Sequence, residues 1–78
     1  SDAEVEAEKD KLLNEEKVAR GEWEAAGEEE RNANASGRAS ETPAIREKGQ
    51  IAKNKYFELY NKRTAIESVL QKRWNKEQ

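Results

Sequence analysis

The sequence predicts an all-α fold, an antiparallel two-helix hairpin of coiled-coil type. Three observations point there. Apolar residues return every seven positions in both halves of the chain. The stretch between the halves is short, small and polar, with a glycine. The charges are also sorted by half. Residues 1–36 hold twelve acids against five bases, a net of −7, and residues 37–78 hold ten bases against five acids, a net of +5. An acidic helix folded onto a basic one has an electrostatic reason to keep its register. The whole-chain charge of −2 conceals this arrangement.

The first helix is expected over about residues 2–35. Ser1 followed by Glu4 fits a capping box, and the early acids favour a helix N-terminus. Val5, Leu12, Ala19, Ala26 and Ala33 keep the seven-residue spacing, with Lys9, Glu16, Trp23 and Glu30 at the companion position. That period argues for a helical seam rather than a strand. The seam is thin, because most of its companion positions are charged and alanine is its commonest apolar residue. Gly21 and Gly27 each cost roughly 1 kcal/mol relative to alanine in a helix interior. Alone, this helix should fray.

A polar turn is expected over about residues 36–42. Gly37 suits the left-handed residue that closes a helix. Thr42 and Pro43 read as the N-cap and first residue of the second helix, where proline is tolerated.

The second helix is expected over about residues 43–76, completing a single 1–78 unit. Ile45, Ala52, Leu59 and Ile66 form its seam, with Gly49, Tyr56, Arg63 and Leu70 as companions. Lys72, Arg73 and Lys76 crowd the last turns, which favours the C-terminal end of the dipole. If facing residue numbers add to about 78, Ala33 meets Ile45, Ala26 meets Ala52, Ala19 meets Leu59 and Leu12 meets Ile66. Trp23 then lands beside Tyr56. Glu16 finds Lys62 or Arg63, and Glu30 finds Lys48 or Arg46. We expect Glu16 with Arg63 and Glu30 with Lys48 to set the register. Each helix should run roughly 45–50 Å, giving a rod.

Composition narrows the function classes. Only 33% of residues are apolar, 41% are charged and mean hydropathy is −1.30, which borders on disorder. With no cysteine, disulfides and thiolate metal sites are excluded. Without histidine, the carboxylates Glu15, Glu16 and Glu28 to Glu30 lack the partner that carboxylate di-metal bundles use. No catalytic, cofactor or metal-binding residue is expected. No apolar run approaches a membrane span, and the second helix only half fits an interfacial one. No targeting segment is visible at Ser1, which reads as the start of an expression fragment, a processed chain or a tag remnant, and compartment stays open. Asn34-Ala35-Ser36 matches a glycosylation sequon in the turn.

Phe57, Tyr60, Val69 and Trp74 fall outside the second seam, and Leu13 and Val18 outside the first. Phe57, Tyr60 and Trp74 follow one helical row through Thr64 and Gln71. Apolar residues on a second face imply another neighbour. The expected function is a non-catalytic structural or interaction module. Phe57, Tyr60, Trp74, Val69 and Leu13 would meet a protein partner or a second copy, the latter in a four-helix bundle. The alternative is an arm that contacts nucleic acid through the basic helix, with Lys48, Lys53, Lys55, Lys62, Arg63, Lys72, Arg73 and Lys76 meeting phosphates and Tyr56, Phe57, Tyr60 and Trp74 stacking on bases. The acidic half and a sequence pI near 5.3 oppose it. In layout alone, a charged hairpin with a polar tip resembles the coiled-coil arm of seryl-tRNA synthetases and the receptor-binding hairpins of some bacteriocins. No functional residue is carried over from either.

Overall fold

The structure, a computed structural model, describes residues 1–77. Two long helices, α1 (Asp2–Ala35) and α2 (Thr42–Glu77), lie against each other along their length, joined by a turn with a short 3-10 segment at Ala39–Glu41. The Cα atoms fill 61 × 15 × 15 Å, a rod.

Local chemistry sets the ends. The Glu4 backbone N–H donates to Ser1 Oγ (3.4 Å), and the Ser1 nitrogen donates to Glu4 Oε2 (3.5 Å), forming the expected capping box. At the other end of α1, Gly37 takes φ +74°. Arg38 N–H then reaches the Ala33 carbonyl (2.7 Å) and Gly37 N–H the Asn34 carbonyl (3.4 Å). These two bonds satisfy carbonyls that the helix leaves open.

Two details of the turn differ from expectation. Thr42 is already helical (φ −56°, ψ −42°) rather than an extended N-cap, because the 3-10 segment runs straight into α2. Its hydroxyl instead donates to Asn34 Oδ1 at 3.0 Å, tying the two helices together at the tip. Asn34 therefore sits in the last turn of α1 with its amide oxygen engaged, not in a free loop.

The core follows the heptads. Leu12, Ala19 and Leu59 form one buried cluster, extended by Tyr56 and Ile66. Ala26, Ala33 and Ile45 form a second. Ala52 and Leu70 are also buried. Small side chains in the tip half bring the backbones close, so Ala26 of the second cluster meets Gly49 across the seam. Toward the open end the seam thins, and Val5 is only half-buried.

Candidate interaction surface

The seam has two flanks, and they differ in chemistry. On one, Glu8, Glu15, Glu22 and Glu29 repeat every seven residues along α1, and Lys48, Lys55 and Lys62 along α2. Antiparallel packing sets the acid row against the lysine row. Lys48 Nζ lies 3.5 Å from Glu29 Oε2. Glu22 and Lys55 line one groove beside Val18. Lys62 turns instead to Glu58 on its own helix, at 3.3 Å. Exposed aliphatic side chains, Val18 and Ile51, punctuate this flank.

The other flank is aromatic. Trp23 from α1 lies 6.1 Å, centroid to centroid, from both Tyr56 and Phe57 of α2. Tyr56 and Phe57 meet edge to face at 5.2 Å, and Tyr56 and Tyr60 stack at 6.3 Å. These spacings lie in the range where aromatic pairs attract. Two cations cap the cluster. Lys53 Nζ stands 5.8 Å over the Trp23 ring, and the Arg63 guanidinium 5.3 Å over Tyr60. Phe57 and Tyr60 remain 44% and 40% exposed, so the cluster is open to a neighbour. Gly27 has no side chain to cover the Trp23 edge, leaving a groove of about 350 Å³ floored by Ala26 and Gly49.

Beside the cluster lies a partly buried ion group. Arg63 donates from Nε and Nη2 to the two carboxylate oxygens of Glu16 (2.5 and 3.2 Å), and from Nη1 to Glu67 (2.7 Å). Glu16 is among the most buried residues of α1. Hydrogen bonding to Glu16 holds the Arg63 guanidinium well above its ordinary range. Burial opposes that rise, and Glu67 adds to it. Bidentate geometry suits a charge pair largely withdrawn from water.

The structure divides the residues picked out from sequence. Phe57 and Tyr60 come together and gain Trp23, which the heptads place in the seam. Trp74 does not join them. It is 17 positions beyond Phe57 on α2, about 25 Å along the axis at 1.5 Å per residue, beside Lys9 and Leu70. Val69 lies nine residues after Tyr60, half a turn round α2, and so belongs to the charged flank. Leu13 is half-buried on the aromatic side. Glu16 meets Arg63. Glu30 is taken by Arg46 at 2.6 Å, and Lys48 goes to Glu29. The expected Glu30–Lys48 contact is thus replaced by its two neighbours, because both long cations sit within reach of the same acid run. Ile51, 63% exposed, is absent from the sequence-based set, and its place on the same face as Glu58 is the signal that could have found it.

Among the described residues, no group of three or more acidic side chains is placed to hold a metal ion, and no helix is long and apolar enough to cross a membrane. Comparison with known protein families, curated proteins and solved structures returns no match to this chain.

Proposed function

We propose that this hairpin is a non-catalytic interaction module whose docking surface is the aromatic flank, centred on Trp23, Phe57 and Tyr60. One observation carries this reading: four aromatic rings from both helices form a single contiguous cluster, yet two of them stay substantially exposed. Tryptophan and tyrosine are the side chains on which binding energy most often concentrates. The rod supplies stiffness, and the Glu16–Arg63–Glu67 group anchors the helix that presents Phe57 and Tyr60. On the opposite flank Lys48 pairs with Glu29 and Lys62 with Glu58, which reduces the charge that this side of the basic helix offers to phosphates.

Affinity capture with the intact chain, beside a Phe57→Ser/Tyr60→Ser variant of unchanged helicity, tests the reading. A partner retained by the first and lost by the second, with only weak salt dependence, is the expected result. Equal capture by both sinks it. Retention of RNA or DNA with a steep salt dependence would replace it with the nucleic-acid arm.

A further inference from the structure

The aromatic flank carries a charge pattern that matches its own reverse. Asp10, Lys17, Glu24 and Arg31 stand seven residues apart on the outer edge of this flank, all exposed. Their signs alternate, −, +, −, +. Laid antiparallel on itself about its midpoint, the row sets Asp10 against Arg31 and Lys17 against Glu24, every pair attractive. The midpoint falls between Lys17 and Glu24. Facing residue numbers add to 79 in this part of the rod, as Glu16 with Arg63 and Trp23 with Tyr56 show. The level of the midpoint on α2 is therefore between Phe57 and Tyr60, the exposed rings.

The geometry points to a second copy of this chain, seated antiparallel on the aromatic flank, as the occupant of the docking surface proposed above. This inference rests on that reading. A twofold axis lying across the rod brings α1 onto α1 and α2 onto α2, and places Phe57 of both copies near the centre. Charge pairs then stand on either side, reaching roughly 16 Å from the axis at 1.5 Å per residue. A parallel copy would put the α1 row against the outer α2 row of Gln50, Phe57, Thr64 and Gln71, which carries no alternating charge to match it. The α1 charges are available for pairing. Asp10, Lys17 and Arg31 make no ion pair among the described residues, and Glu24 holds only the exposed Arg20. The face is also large enough. A rod side of 61 × 15 Å offers roughly 900 Å², close to the ~800 Å² per partner of a stable interface. The product is a four-helix bundle with the lysine and glutamate rows outside.

The test is sedimentation velocity on the full chain from micromolar to millimolar concentration, with circular dichroism on each sample. The variants are Asp10→Arg, Arg31→Asp, the double variant, and an equimolar mixture of the two single ones. Both positions are exposed, so helicity should not change. The wild type should dimerise. Each single variant turns two attractive pairs repulsive and should dimerise about tenfold more weakly. The double variant and the mixture restore attraction and should recover. A wild type that stays monomeric at millimolar concentration overturns the inference, and so does a dimer indifferent to these reversals. In either case, capture of another protein that depends on Phe57 would leave the docking reading standing, and its absence would remove both.

Discussion

A β-carbon on Gly49 would lie 3.2 Å from the Cβ of Ala26, so the two helices touch here with almost nothing between them. Gly21, by contrast, faces open space. Both are helical glycines with ordinary φ, so both carry the same propensity penalty of about 1 kcal/mol. Gly21→Ala should therefore stabilise the hairpin by roughly that amount. Gly49→Ala should gain distinctly less, because Ala26 must yield by a few tenths of an ångström. Gly49→Leu should cost about 1–3 kcal/mol by overpacking. Thermal melts of the three variants check the ranking, and equal gains for the two alanine changes would deny the close approach.

Removing one side of the Glu16–Arg63–Glu67 group should be costly, because Glu16 itself is buried. Arg63→Glu leaves Glu16 facing two carboxylates, and a loss of about 3–5 kcal/mol is expected. Adding Glu16→Lys should recover part of it, read by denaturant unfolding. Recovery stays partial because Glu67, four residues from Arg63, remains beside the new acid. Without any recovery, the pair would not be coupled.

The raised affinity of Arg63 for its proton has a pH consequence. A group whose folded pKa lies above its unfolded one contributes fully below the unfolded value and loses that contribution only as pH climbs through the folded one. For Arg63 that loss begins beyond the ordinary arginine range. Arg63→Lys puts in its place an ammonium that ordinarily titrates near pH ~10.4. The stability gap between wild type and this variant should be constant near neutrality and widen above about pH 10. Parallel curves up to strong alkali would contradict the assignment.

Leu59 is the large side chain at the centre of the open-end cluster, touching Leu12 and Ala19. Leu59→Asp buries a charge without a partner and should abolish helicity at micromolar concentration. Intact circular dichroism in this variant would count against the packed pair.

At the tip, Gly37 occupies the left-handed region. Gly37→Ala should cost about 1 kcal/mol or slightly more, since a β-carbon is strained there whatever the space around it. A melting temperature equal to wild type would mean that the turn can reorganise.

Much of this fold is legible in the sequence. The seven-residue spacing of Leu12, Ala19, Ala26 and Ala33 fixes one buried line, and Ile45, Ala52 and Leu59 fix its partner, because only helices present that period on one side. Gly37 marks the turn for a steric reason that no neighbour can override. The surface is less legible. A heptad places Trp23 beside Tyr56 but does not say that a ring this large, next to Gly27, overhangs the seam and meets Phe57. Val69 and Trp74 enter the sequence-based set by exclusion from the seam, which does not distinguish its two flanks. The partners of Glu30 and Lys48 depend on which of several flexible side chains within reach finds the better geometry, and sequence spacing is one residue too coarse for that. The sign alternation of Asp10, Lys17, Glu24 and Arg31 is readable at once, but gains meaning only when the rod places it beside the aromatic rings.

The two tryptophans of this chain sit at different heights of the rod. Trp23 belongs to the mid-rod cluster under Lys53, and Trp74 to the open end beside Lys9. By register they stand roughly 27 Å apart along the axis, at 1.5 Å per residue. The molecule thus contains two intrinsic optical reporters in separate environments. Trp23→Phe silences one and Trp74→Phe the other, so emission during a melt distinguishes fraying from the open end from a concerted loss of the whole hairpin, with no label attached.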